Sequence, residues 1–217
     1  MSDIFHEVDE EVRREQLQKL WKRYQNLVIA GAVLILLGVA GWRGYEYLEA
    51  KKAAEMGAAF EAAMTLGTAG KHAEAEAAFG KIATEGTSGY RTLARMRQAA
   101  ELAQTDAKAA IAAYGKIAAD SSVGAAMQQL AGVRAGALLV DSAEYGEARK
   151  TLEPLSGEKS PYRHTARELL ALAAWRAGDT TAAKRWFDLI VTDLQTPTAT
   201  RDRVEMLIAL VAAENKS

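Results

Sequence analysis

The chain has 217 residues, 27 Lys and Arg against 28 Asp and Glu for a net charge of −1, and no cysteine. The balanced charge removes any general electrostatic reason to expect nucleic acid as a partner, and the missing cysteines exclude disulfides, thiolate nucleophiles and cysteine-ligated zinc at once. With three prolines and long stretches dominated by Ala, Leu, Glu, Lys, Gln and Arg, the composition is helical, and the length suits one sizeable core or a small domain with appendages.

Residues 1–23 read as a helical segment that begins acidic (DIFHEVDEEV) and ends basic, the order the helix dipole prefers. Val8, Val12, Leu20 and Trp21 fall at spacings compatible with one helix stripe. The segment reads equally as a helix lying along a membrane surface or as a short solvated lead into an apolar stretch.

From Tyr24 to Trp42, YQNLVIAGAVLILLGVAGW, the Tyr24 phenol is the only ionisable group, with Arg23 before the stretch and Arg43 after it. Nineteen residues of helix at about 1.5 Å each cover roughly 28 Å, close to the ~30 Å hydrocarbon thickness of a bilayer. Aromatic residues sit at both ends, Trp21 and Tyr24 before and Trp42, Tyr45 and Tyr47 after, as interfacial anchoring requires. A buried core helix seldom runs from Leu27 to Trp42 without a charge. Gly38-Val39-Ala40 satisfies a small-x-small cleavage rule, but the long acidic segment upstream favours an uncleaved anchor, assigned to residues 24–45.

Arg13, Arg14, Lys19, Lys22 and Arg23 precede the span and Arg43, Lys51 and Lys52 come after it. That excess predicts a cytoplasmic N-terminus and an exported domain over residues 46–217, periplasmic in a Gram-negative cell. Within the span Gly31 and Gly38 fall seven apart on nearly one face, and Ala40 with Gly44 gives a small-x3-small spacing that permits close approach of another membrane helix.

Beyond residue 50 the sequence repeats itself. KHAEAEAAFGKIA (71–83) and DAKAAIAAYGKIA (106–118) align with an offset of 35, so that Ala75, Phe79 and Ile82 correspond to Ala110, Tyr114 and Ile117. Ala148, Leu152 and Leu155, and then Ala183, Phe187 and Ile190, carry the same small-x3-large-x2-aliphatic order. Offsets of four and three put each triplet on one helical face: the small residue admits a neighbouring helix and the large one fills the space a turn along. One hairpin cannot bury such a face, whereas stacked hairpins can. The predicted helices are 50–68, 71–86, 89–103, 106–119, 122–141, 144–156, 161–177 and 179–193, four pairs in all, with a closing helix near 198–213. Gly70 and Gly178 suit helix C-termini, Asp106 and Asp179 suit N-caps, and Ser160-Pro161 offers a cap with proline in the first turn.

This order at 34 to 35 residues resembles the tetratricopeptide repeat, although the aromatic and glycine of the first helix are mostly missing and Gly136 alone matches at the glycine position. The expected fold is therefore all-α, a single transmembrane helix followed by a tetratricopeptide-like α-solenoid of four helix pairs plus a capping helix. An acidic-then-basic N-terminus, one anchor ending in GWRGYEY (Gly41 to Tyr47) and about 165 residues of degenerate helical repeats are similar to the YfgM-like family, ancillary subunits of the bacterial SecYEG translocon. The resemblance implies a bacterial inner-membrane protein with a periplasmic repeat domain. Its implied partners are the translocon and periplasmic folding factors, including a membrane-anchored prolyl isomerase homologue, and its implied role is to help pass exported chains to chaperones.

No catalytic constellation stands against a binding role. His6, His72 and His164 lie in distant segments, none with a second histidine or a cysteine at metal-ligand spacing, and each reads as an exposed or helix-end residue. There is no phosphate loop, nucleophile elbow or zinc-protease signature, so no cofactor, metal or small-molecule substrate is expected. A solenoid binds along the face of its first helices. In this register that face draws on Phe60, Met64, Arg95, Leu102, Leu130, Val133, Leu172, Trp175 and Arg176, where aromatics and arginines could grip an extended peptide or a partner helix. The leucines also read as plain inter-helix core. An adaptor beside the translocon is the leading reading, and an envelope or cell-division scaffold binding one fixed protein partner is the alternative.

Overall fold

The computed structural model describes residues 3–142 and 145–214. The stripe at Val8 and Val12 and the side chain of His6 lie outside the described residues. The chain separates into two compact units, Met1–Ala54 and Glu55–Ser217, and no strand occurs among the described residues.

In the first unit the one element is α1 (Asp3–Thr68), which continues into the second. A helix starting afresh near residue 50 is not what forms. The stretch YEYLEAKKAAE after Gly44 has neither proline nor glycine and is rich in strong helix formers, so nothing interrupts the backbone ladder. The most apolar 18-residue stretch of this helix has a mean hydropathy of 2.0, and none of it is buried. It is long and apolar enough to cross a membrane, which makes it the chain's candidate span.

The second unit is a run of helix pairs: the end of α1 with α2 (His72–Glu85), α3 (Ser88–Leu102) with α4 (Ala107–Ala119), α5 (Ala125–Ser142) with α6 (Tyr145–Leu152), and α7 (Arg163–Arg176) with α8 (Thr180–Val191), followed by α9 (Thr198–Glu214). The punctuation is local chemistry. Gly70 and Gly178 take φ of 76° and 78°, a left-handed conformation open to glycine, and the chain then folds back in two bonds. Lys71 donates its amide to the Leu66 carbonyl (3.0 Å) while Gly70 reaches Gly67 (3.0 Å), and Asp179 to Ala174 (2.9 Å) with Gly178 to Trp175 (2.9 Å) repeats the arrangement. Asp106 and Asp179 cap the helices after them, accepting from the amides of Ala109 and Ala182 at 2.9 Å.

Three expected boundaries shift, each for a visible reason. α5 starts three residues late because Asp120 accepts from the Ser122 amide, turning Ser121–Val123 into a 3-10 turn, and Gly124 then takes φ of 80°. α6 stops at Leu152 because Pro154 cannot continue an α-ladder, and Glu153–Leu155 closes as a 3-10 turn. α7 begins at Arg163 rather than 161: the Ser160 hydroxyl accepts the Tyr162 amide (3.2 Å) and donates to Gln129 (2.9 Å), so Ser160-Pro161 belongs to the turn before the helix.

The core sits where the large residue of each second helix meets the first. Phe79, Leu152 and Phe187 are completely or almost completely buried, and Tyr114 nearly so. Sixteen positions before them stand Ala63, Gln98, Gly136 and Ala171, of which Ala63 and Ala171 have no exposed surface. Gly136 makes the closest approach: a Cβ there would lie 2.2 Å from Leu152 Cδ2 and 2.5 Å from its Cγ. Ala75, Ala110, Ala148 and Ala183 all have 0 % of their surface exposed, as helix–helix contact at small residues requires. Ile82, Ile117 and Ile190 are buried as well, and Leu155 packs half-buried against the same core from the 3-10 turn.

A charged corner ties α7, α8 and α9 together. Asp193 Oδ2 accepts from Arg163 Nε (2.9 Å) and from the Arg167 guanidinium (3.0 Å), and its Oδ1 accepts the Gln195 amide (2.9 Å). Arg167, only 7 % exposed, also donates to the carbonyls of Ser156 and Leu189. Arg201 donates to the Asp193 carbonyl (3.1 Å). The Arg163 hydrogen bond first, and then the Gln195 amide, hold the Asp193 carboxyl well below the usual carboxylate range.

This packing sets three stability outcomes. Gly136→Ala should lower stability by about 1–2 kcal/mol in urea unfolding, since overpacking against the fixed Leu152 outweighs the helix-propensity gain of alanine. Gly115→Ala on α4, where an added Cβ would meet nothing within 4 Å, should raise stability by about 0.5–1 kcal/mol. Asp193→Asn should cost about 2 kcal/mol at pH 7. Because the folded-state pKa of Asp193 is depressed, its contribution is complete above the ordinary carboxylate pKa of about 3.9 and fades as pH falls below it, so the two urea midpoints should converge there.

Candidate protein-binding face

The first helices of the pairs, the end of α1, α3, α5 and α7, carry the residues predicted to line a groove. Phe60 is half-buried and packs edge-on to Phe79 with ring centroids 5.1 Å apart, and against Tyr90 at 5.9 Å. Met64 borders the same apolar cluster. Leu172 and Trp175 lie half-buried on the rim of the large cluster built by α5 to α9. Leu102 and Leu130 are half-buried, and Val133 is buried at 6 % exposure. These side chains therefore divide between rim and core: Val133 and Phe60 hold helices together, while Leu102, Leu130, Leu172 and Trp175 keep part of their surface in solvent.

The two arginines of the set are both ion-paired. Arg95 on α3 donates to Asp120 at 2.6 Å across the end of α4, and a bond from Ser122 first, then Arg95, lowers the Asp120 pKa to about 2. Arg176 at the end of α7 pairs with Asp141 at the end of α5. One repeat further on, Glu168 of α7 binds Arg203 of α9 through both carboxylate oxygens, at 2.6 and 2.7 Å. Both pairs span 35 residues, so successive first helices are stapled at the repeat interval. Asp141, Glu168 and Arg203 were not singled out by sequence reasoning. The signal available was an acid followed 35 residues later by an arginine, visible only once the period is known.

The Arg176–Asp141 contact can be exchanged cheaply. Arg176 and Asp141 side chains are 54 % and 78 % exposed, and an ion pair in that setting stabilises a protein by under about 1 kcal/mol. A partner carboxylate or a carbonyl at the end of a helix could replace Asp141 at little cost, with the Trp175 rim beside it as an apolar contact.

The described histidines are helix-start residues in structural pairs. His72 opens α2 with Nδ1 2.8 Å from Glu101, and His164, second in α7, lies 3.1 Å from the Thr196 hydroxyl and 3.8 Å from Asp193. Burial first, and then Arg163, lowers the pKa of His164 below the ordinary imidazole value. Among the described residues no group of three or more His, Asp or Glu is placed to hold a metal ion. In α1, Gly31, Gly38 and Gly44 have open space where a Cβ would stand, and Ala40 is exposed; Gly31 with Gly38 and Ala40 with Gly44 lie on nearly opposite faces of the helix, and both are uncovered among the described residues.

A family model described as a tetratricopeptide repeat-like domain matches residues 18–212. No curated protein and no solved structure matches the chain. Domains of this kind are typically non-enzymatic protein-interaction modules, consistent with a face of half-buried leucines, tryptophan and an exchangeable arginine pair. By the extent of the match and the stacked pairs that realise it, the chain belongs to the tetratricopeptide repeat-like domain family.

Proposed function

We propose that this protein is a membrane-anchored adaptor at the bacterial Sec translocon. In this reading residues 24–45 cross the inner membrane, residues 1–23 lie in the cytoplasm, and residues 46–217 form a periplasmic repeat domain that binds translocon and chaperone components to assist exported proteins. The observation that carries it is the joining of an unburied apolar helix, with basic residues concentrated before it, to a protein-binding repeat unit. The basic side faces the cytoplasm under the positive-inside bias. The similarity of the N-terminal segment, the GWRGYEY anchor end and the degenerate repeats to the YfgM-like family supports the translocon, and a membrane-anchored prolyl isomerase homologue, as the partners. Either small-residue pair, Gly31 with Gly38 or Ala40 with Gly44 on the opposite face, supplies a surface for a membrane helix of such a partner. The work is docking: the residues offered are a tryptophan, leucines and arginines, with bond-making left to others.

Photocrosslinking in living cells from position 175 and from positions 31–44 should attach translocon subunits or periplasmic folding factors. Arg176→Ala should reduce the yield at position 175 severalfold while lowering stability by less than about 1 kcal/mol, since the exposed pair it breaks contributes little. Crosslinks from both regions to division or envelope-assembly proteins, with no translocon or folding factor among them, would replace this reading by a scaffold.

A further inference from the structure

The first helices α3, α5 and α7 each carry the same short phrase, Leu-Ala-x-x-Arg, at Leu93 to Arg97, Leu130 to Arg134 and Leu172 to Arg176. The environment recurs with it. Ala94, Ala131 and Ala173 are buried, the three arginines are exposed, and each leucine, one turn from its arginine on the same side of the helix, keeps part of its surface in solvent. The Lys and Arg positions of these three helices are all arginine, seven against three acids and so a net +4 in a chain of net −1. All three acids are already matched: Glu101 with His72, Asp141 with Arg176, and Glu168 with Arg203. Arg95 pairs with Asp120, and Arg163 and Arg167 pair with Asp193. That leaves Arg91, Arg97 and Arg134, whose guanidinium groups make no ion pair or hydrogen bond among the described residues. Arg91 stands about a third of a turn round α3 from Arg97. Arg97 and Arg134 bear on one place: burial first raises the pKa of the Tyr114 phenol, and the charges of Arg134 and then Arg97 pull it down, with Glu101 opposing them.

We infer that Arg97 and Arg134, each with its leucine, dock an acidic segment of a partner polypeptide: side-chain carboxylates of the segment take the two guanidinium groups, and its apolar side chains lie on Leu93 and Leu130. Arginine is the residue such a contact needs, because its planar fork meets both oxygens of a carboxylate where lysine offers a point charge. The leucine one turn away keeps water from one side of the ion pair, which strengthens it. Two free cations in a chain of net −1 are too few to hold a phosphate backbone, which needs a run of them. At α7 the same phrase already makes the contact inside the molecule, with Asp141 of α5 as the carboxylate for Arg176. The inference rests on the protein-binding reading of the first helices and adds the chemistry of what they bind.

The test is the fluorescence anisotropy of a short fluorescein-labelled peptide repeating Glu-Glu-Leu, titrated with the full-length protein in detergent micelles. This peptide should bind about tenfold tighter, or better, than a counterpart repeating Gln-Gln-Leu. Arg97→Gln and Arg134→Gln together should weaken it by about tenfold or more, and Arg134→Lys, which keeps the charge without the fork, should weaken it severalfold. Lys108→Gln with Lys184→Gln removes the same charge from exposed positions on the second helices and should leave binding unchanged. Since Arg97 and Arg134 are unpaired, their double variant should unfold at the wild-type urea midpoint. Binding of neither peptide, equal binding of both, an equal loss from the Lys108 and Lys184 substitutions, or equal displacement by an oligothymidine of the same charge would each overturn the inference. Its failure is separable from that of the adaptor reading: photocrosslinks from position 175 to translocon subunits or folding factors, in a protein that ignores the acidic peptide, would overturn the acidic segment alone.

Discussion

A helix pair has one apolar face more than it can bury by itself, and the close contact between a small residue and a large one is what lets neighbouring pairs share that face. Gly136 against Leu152 shows the limit of the contact, since a single methyl at residue 136 would stand 2.2 Å from the leucine. Elsewhere alanines at 0 % exposure play the same part beside Phe79 and Phe187. Dispersion and apolar burial both depend on this approach, and a gap of 0.5–1 Å already forfeits roughly a quarter to a half of the dispersion attraction. Tyr114 is the variation: sixteen positions before it stands Gln98, half-buried and bound to Glu76 of α2 at 2.8 Å, so a polar residue turned to the preceding helix holds a place that small residues fill in the other pairs, and Tyr114 packs among Ala99, Ala131 and Ala135.

Once the second helices and the inner sides of the first are committed to the core, what remains for function is the outer side of the first helices. There the charged groups are arranged by the repeat itself: Asp141 with Arg176 and Glu168 with Arg203, both 35 residues apart. Both pairs hold register, and the exposed Arg176–Asp141 pair can be traded for a partner's groups, whereas Glu168, 12 % exposed at the side chain, is held through both of its oxygens. The Asp193 corner is of another kind. Its arginines are 12 % and 8 % exposed at the side chain, and one of them is tied to two carbonyls as well, so it fixes α7, α8 and α9 rather than offering a site.

Much of this was legible in the sequence because the determinants are local or periodic. Gly70, Gly178, Asp106 and Asp179 mark helix ends by chemistry confined to a few residues, and the triplets around Phe79, Tyr114, Leu152 and Phe187 mark faces by spacing alone. What escaped depends on competition between neighbours. Asp120 could cap a helix or a 3-10 turn, and Gly124 decides for the turn. Pro154 ends α6 early although the Leu155 position keeps its place in the packing. The uninterrupted course of α1 escaped because the change from apolar to charged residues after Trp42 looks like a boundary, whereas the backbone responds only to propensity, which stays high. Among the groove residues, spacing could not separate Val133, which is buried, from Leu130, which is half in solvent, because one turn of α5 separates them and the difference lies in what packs there.

The proposed role requires an apolar helix that stays in the bilayer and holds the repeat unit on the far side of it. Single cysteines at Lys19 and Lys108, introduced into a chain that has none, measure this most directly with a membrane-impermeant maleimide applied to intact spheroplasts. A membrane-held adaptor should remain with the membranes after alkaline carbonate extraction, with residue 108 labelled in intact spheroplasts and residue 19 labelled only after lysis. Recovery of the chain in the carbonate-soluble fraction, or labelling of residue 19 but not residue 108 in intact spheroplasts, would contradict it.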